Sequence, residues 1–220
     1  MLLDLKDSLM APIREEITNK IRDELVAGRH EAGAPLREIE MANRFGVSRG
    51  PVRDAFLQLS QEGFLEYHTN RGVTVRHRPS LEDQDFVVSL RSQIELYVVS
   101  KGFDRLTPEG IGEIEAAINA FKVACDAGEV VEVAKTDMAF HKAILMQCGG
   151  EEHRPVWTQL CGRMLLAYSR QESYEPSYLE HEAIFHAIRD RDLKQTLERL
   201  DRNISCGTFR PDAAIANQPD

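Results

Sequence analysis

From residue 81 to residue 206 apolar side chains recur at helical spacing, broken at Pro108, Gly128, Gly149-Gly150 and Pro176. No stretch there alternates apolar and polar residues as a half-buried strand does. Helices are predicted at about 81–105, 108–127, 129–147, 153–170, 177–190 and 192–206. Six helices on short connections bury their stripes as an antiparallel bundle. Residues 207–220 lack periodicity and are expected to be a disordered tail.

The first 78 residues read differently. Ile13, Ile17, Ile21, Leu25 and Val26 mark a helix over 11–28, closed by Gly28. Gly33-Ala-Pro35 is a turn. A short helix follows over 37–45, then Gly46-Val47-Ser48, then a longer helix to about Glu62 carrying Val52, Ala55, Phe56 and Leu59 on one face. Phe64–Tyr67 and Val73–Val75 suit two short strands joined by Thr69-Asn70-Arg71-Gly72. Arg78-Pro79-Ser80 is the expected junction. The fold is therefore predicted to be mainly α. A winged helix-turn-helix with a small hairpin occupies 1–78, and a six-helix bundle occupies 79–206.

Charge supports the same division. The 220 residues carry 27 Lys and Arg against 36 Asp and Glu, a net charge of −9. Taken whole, that speaks against a nucleic-acid partner. Yet residues 1–78 hold 12 basic and 12 acidic side chains, and residues 79–220 hold the whole surplus of acid. Residues 37–78 carry seven Arg against five acids. No apolar run approaches the roughly 18 residues of a membrane span, and MLLDLKDSLM carries acids where a signal peptide would not. Cys125, Cys148, Cys161 and Cys206 show no CxxC spacing and are read as small buried thiols in a reduced, cytoplasmic chain.

The segment 37–62 has the parts of a DNA reader. Gly46 supplies a positive φ at the turn. Ser48 is placed to cap the next helix, and Pro51 is tolerated in its first turn. Arg49 and Arg53, at i and i+4, leave one side of that helix near its N-terminus. There a guanidinium fork can meet guanine O6/N7 in the major groove, worth about 1–3 kcal/mol per good pair. At the hairpin tip, Arg71 and the bare Gly72 can approach the phosphate backbone.

The run LREIEMANRFGVSRGPVRDAFLQLSQEGFLEYHTNRGVTV strongly resembles the winged helix-turn-helix of GntR-family transcription regulators, over roughly residues 10–78. Phe45–Arg53 matches the family's GVSRxPVR core, while Glu62–Leu65 and Arg71–Val73 fit its later positions. The resemblance implies that Ser48, Arg49, Arg53, Arg71 and Gly72 lie on operator DNA. Ile39 stands where some FadR-type members carry another DNA-contacting arginine, and Arg37, two residues earlier, is the candidate to supply that charge.

In the bundle, polar residues interrupt the apolar stripes. Arg91 and Glu95 are i,i+4 among Val87, Val88, Leu90 and Ile94. Asp137 and His141 are i,i+4 within DMAFHKAI and can aim at one metal. His181 opens HEAIFHAI, and Asn203 lies 22 residues later. Alone these are ordinary: a helical His on an apolar face is as a rule a hydrogen-bonded core residue, and an Arg/Glu pair a local ion pair. His153 and His186 are read as structural or exposed. Residues 81–206, however, resemble the all-helical FCD ligand-binding domain of the FadR subfamily, in its VanR-type branch. The resemblance implies a divalent-metal site at Asp137, His141 and Glu180-His181, with Asn203 where a terminal imidazole is expected. An amide oxygen is a harder ligand than imidazole. That leaves zinc with water or effector completing the shell, a harder ion such as Mn or Mg (or Ni), or no metal and Asn203 on the effector. Arg91 matches a cavity-facing position suited to a small organic acid, which a guanidinium binds bidentately.

The expectation is a cytoplasmic, homodimeric repressor that binds near-palindromic double-stranded DNA and is released by a small carboxylate effector. Two other readings compete. A helical metal-dependent hydrolase could use Asp137, His141 and His181, though no general base or nucleophile accompanies them. An architectural DNA-binding protein without effector would leave the buried polar cluster without a purpose.

Overall fold

Ile17, Ile21 and Leu25 recur every four residues, and each is buried. They lie on the first helix, α1 (Leu2–Val26), which begins earlier than its apolar stripe and ends where Gly28 takes a positive φ. The computed structural model describes residues 2–68, 72–168 and 171–206. The chain divides into two units, 1–78 and 79–220.

In the first unit α1 packs against α3 (Arg49–Gln61). The facing residues of α3 are Val52, Ala55, Phe56 and Leu59, all fully buried. The short α2 (Glu38–Phe45) precedes α3 and adds Met41 and Ala42 to this core. Between them Gly46 takes φ 67°, and its amide closes α2 on the carbonyls of Ala42 and Asn43. That left-handed geometry is the turn of the helix-turn-helix, and only glycine enters it freely. Ser48 stands at the N-cap of α3 with extended backbone, but its side chain makes no capping hydrogen bond. The expected cap is thus corrected. Pro51, at the third helical position, has no N–H to offer, which removes one of the two amides an N-cap hydroxyl serves.

The hairpin is part of a three-stranded antiparallel sheet, ordered β1-β3-β2, with β1 at Pro35–Leu36, β2 at Leu65–His68 and β3 at Gly72–Val75. Tyr67 pairs with Val73, and His68 with Gly72. Residues expected as a turn thus form an added edge strand, with Pro35 where a missing N–H is tolerated. The tip, with Thr69, Asn70 and Arg71, lies outside the described residues, as does the tail 207–220.

The second unit holds α4 (Leu81–Gly102), α5 (Pro108–Ala127), α6 (Val130–Gln147), α7 (Arg154–Leu165), α8 (Glu175–Arg189) and α9 (Leu193–Cys206). Ser80 and Thr107 cap α4 and α5 by accepting from the amides of Asp83 and Gly110. A 3-10 turn, Phe103–Arg105, finishes the segment expected as the end of the first bundle helix. α7 stops at Leu165, short of the predicted 170, although Leu166, Ala167 and Tyr168 stay buried. Apolar spacing there records burial, and the amide of Ala167 turns back to the carbonyl of Met164 in a tighter i+3 bond. α4 packs on α9, α6 and α7, while α5 packs on α6 and α8. Asp137, His141, His181, Arg91 and Asn203 all lie in the buried interior of this bundle. Cys148 and Cys161 are buried as expected, whereas Cys125 is half-exposed. Among the described residues, no helix is long and apolar enough to cross a membrane.

One close approach carries a prediction. A Cβ on Gly102 would stand 1.8 Å from the carbonyl oxygen of Cys148. Backbone, not a flexible side chain, would have to move. Gly102→Ala is therefore expected to destabilise the bundle by about 1–3 kcal/mol, the range for overpacking, read from the midpoint of urea unfolding.

Candidate nucleic-acid interface and metal centre

Arg49 and Arg53 leave the first turns of α3 with side chains 57% and 59% exposed. Both converge on Glu38, at the start of α2. Its Oε2 accepts from Arg49 Nη2 at 2.9 Å and Arg53 Nη2 at 3.1 Å, and its Oε1 from Arg53 Nε at 3.0 Å. Hydrogen bonding from Arg53, then from Arg49, outweighs partial burial and holds the Glu38 carboxyl below its ordinary range. The sequence reading missed Glu38. The pairing crosses the turn, and helical periodicity links only residues of one helix. Arg37 is exposed and stands 3.6 Å from Glu40, and Ile39 beside it is exposed as well. Gly72 opens β3 at φ 84°, with open space where a Cβ would be.

In the second unit, α6 and α8 bring Asp137, His141 and His181 together. One ligand atom of each lies within 4.8 Å of the others, and all three residues are buried. His181 Nδ1 donates to the carbonyl of Ser177 at 2.7 Å. A carbonyl only accepts, so the hydrogen of this contact sits on Nδ1, and Nε2 is the nitrogen turned toward Asp137. That buried Nε2 has no hydrogen-bond partner and faces Asp137 Oδ1 at 3.5 Å. His141 places Nδ1 2.8 Å from Glu95 Oε2 and Nε2 3.1 Å from Asn203 Oδ1. Asp137 Oδ1 lies 3.7 Å from the same Nε2. Burial pushes His141 toward the neutral form more strongly than Glu95 holds its proton. Burial also opposes ionisation of Asp137, but His181, His141 and Arg91 outweigh it and keep the carboxyl below its ordinary range.

Two imidazole nitrogens, a carboxylate oxygen and an amide oxygen therefore converge in the buried interior. Such a set fits a divalent cation. Asn203 joins it at the expected position, its Nδ2 donating to Glu180 Oε2 at 3.2 Å. Glu180 thus contacts Asn203. Phe121 and Phe140 pack on the His181 ring at centroid distances of 4.4 and 5.3 Å. His186 is exposed, and His153 packs against Tyr97.

Arg91 is 1% exposed, and its Nε donates to Glu95 Oε1 at 2.6 Å. Its Nη2 is buried without a hydrogen-bond partner. Trp157 Nε1 donates to the same Glu95 oxygen at 2.7 Å. The ion pair expected between Arg91 and Glu95 is thus one edge of a larger network.

Comparison with known proteins accords with both units. Residues 13–75 match the family described as bacterial regulatory proteins, gntR family, and residues 87–205 match the FCD domain. The chain is 28% identical over 153 residues to a probable D-xylose utilization operon transcriptional repressor of Paenarthrobacter nicotinovorans, covering 67% of this chain and 66% of that protein. It is 26% identical to the HTH-type transcriptional repressor RspR of Escherichia coli, spanning 58% of that length. The galactonate operon transcriptional repressor of E. coli is 24% identical over 81% of this chain and 87% of its own. The chain thus spans about three-fifths to two-thirds of the first two. In fold it is similar to E. coli McbR/YncC, with TM-score 0.72 and 21% identity over 88% of this chain and 95% of that one. The first matched model is that of bacterial regulatory proteins, and these three relatives are named as transcriptional repressors. The chain belongs to the GntR family of bacterial regulatory proteins, in the group that joins a winged helix-turn-helix to an FCD domain.

Proposed function

We propose that the chain is a homodimeric, cytoplasmic one-component repressor. Residues 1–78 read operator DNA, and residues 79–206 hold the dimer contacts and bind a small carboxylate effector. The observation that carries this reading is the exposed Arg49–Arg53 pair at the N-terminus of α3. Two cationic forks there match guanine edges in the major groove, while Arg37, Ser48, Arg71 and Gly72 serve the sugar-phosphate backbone. A two-fold dimer requires two half-sites about one helical turn apart.

In the bundle, Asp137, His141 and His181 hold a divalent metal, with Asn203 as the fourth donor. The two-nitrogen, two-oxygen set suits zinc, manganese or nickel, with magnesium the hardest candidate. When bound, the metal supplies a Lewis-acidic attachment point for an effector oxygen. The buried, unpartnered Nη2 of Arg91 supports recognition of a carboxylate. An effector that binds one dimer arrangement better than the other changes operator affinity by linkage.

The test is a thermal-shift series of small carboxylates, since a ligand of the native state raises its apparent stability. The expected outcome is a carboxylate that raises Tm and releases a duplex selected from random DNA. Arg91→Ala should lose that Tm rise, and an unchanged rise in this variant removes Arg91 from the effector site.

A further inference from the structure

Only one ring nitrogen of His141 can face the Asp137–His181 cluster, and what lies on the other side decides whether that nitrogen is a lone pair or an N–H. On the other side lies Glu95. This residue is 1% exposed, and its two oxygens are engaged differently. Oε1 accepts from Arg91 Nε at 2.6 Å and from Trp157 Nε1 at 2.7 Å. Oε2 faces His141 Nδ1 at 2.8 Å. Guanidinium and indole can only donate. An ionised carboxylate can only accept, so His141 must donate from Nδ1. Burial alone would favour the protonated acid, but the Arg91 guanidinium beside it pulls the Glu95 carboxyl well below its ordinary range.

We propose that Glu95 is the positioning residue of the metal centre. By accepting from Nδ1–H it keeps the ring proton on the outer nitrogen and reserves Nε2, which lies 3.1 Å from Asn203 Oδ1 and 3.7 Å from Asp137 Oδ1, as the nitrogen that would turn its lone pair to a metal. Arg91 and Trp157 act one step further out by holding the carboxylate ionised and oriented. The carboxylate belongs to α4, the ligand to α6 and the indole to α7, so this chain of hydrogen bonds ties three helices to the ligand set. An outer carboxylate of this kind fixes the ring orientation and raises the basicity of the ligating nitrogen. The role rests on the metal reading above, but the tautomer can be read without any metal.

Glutamine makes the test sharp. Glu95→Gln keeps the shape with one oxygen and one NH2. Arg91 and Trp157 both require the oxygen, so the NH2 turns to His141. The ring must then accept at Nδ1 and carry its proton on Nε2, aimed into the ligand set. Nitrogen-15 NMR of the chelated full chain at mildly alkaline pH, with His141 assigned by its loss in His141→Gln, reports this directly. The wild type is expected to carry its proton on Nδ1, and Glu95→Gln on Nε2. Equilibrium dialysis with zinc chloride or manganese chloride should then show affinity weakened by about 10- to 100-fold in the variant. Glu95→Gln also strands the Arg91 charge. A second variant, Arg91→Met with Glu95→Gln, removes both charges and should show the same switch while folding normally. Two results overturn the proposal: a wild-type ring protonated on Nε2, or an Nδ1–H that survives in both variants. A tautomer switch in a chain that binds neither metal salt would leave the positioning role standing and remove the metal reading instead.

Discussion

Reversing the charge of Arg49 or Arg53 is expected to abolish specific operator binding while leaving the fold intact. Both side chains are more than half exposed, and neither contributes to the core between α1 and α3. Exposed substitutions of this kind usually change stability by about 0.5 kcal/mol or less. The effect on DNA is far larger. Each arginine contributes about 1–3 kcal/mol through a good guanine pair, and a carboxylate in its place adds repulsion from the phosphates. Loss of roughly two orders of magnitude or more is therefore expected for either reversal. Footprinting on a selected duplex, with a urea melt as the fold control, decides it. A footprint that survives both changes rules out this helix as the reader. Glu38→Gln provides the contrast. It frees both arginines from the carboxylate that holds them, so binding to random duplex DNA should rise and depend more steeply on salt.

Metal removal should produce the second large effect. His181 Nε2 is buried without a hydrogen-bond partner, and Asp137, His141 and Asn203 gather beside it. A chain purified without chelators is expected to carry one divalent ion. Asp137→Ala or His181→Ala should each lose it. With metal at a hundredfold excess over its dissociation constant, the native state gains about 2.7 kcal/mol. For a chain of this size that corresponds to roughly 5–10 °C in Tm. Elemental analysis and a melt with and without chelator measure both. No stoichiometric metal, even after reconstitution, would remove the ion from the account. Asn203→His should then shift preference toward zinc, because it replaces an amide oxygen with imidazole at a position already in contact with His141.

Much of this was legible in the sequence because it is local. The turn at Gly46 needs a positive φ, and glycine supplies it. The i,i+4 pair Asp137 and His141 falls on one helix face whatever the helix packs against. Ser48 shows the limit of local reading: its cap follows from residue type, yet Pro51 withdraws an amide it would have served. The edge strand at Pro35–Leu36 was missed for the opposite reason, since two residues carry no period. The extra residues assigned to α7 came from apolar spacing that continues into a buried but non-helical segment.

The sequence by itself determined the two units, the helix-turn-helix with its arginine pair and the candidate ligands, because spacing, caps and charge act within one or two turns of chain. Tertiary structure alone decided their partners. Glu38 reaches Arg53 across 15 residues, and Glu95 reaches His141 across 46 and Trp157 across 62. Such pairs share no period. They meet because burying each helix's apolar stripe brings its few polar side chains inward. There, far from water, each must find its hydrogen bond, its opposite charge or its metal in another helix.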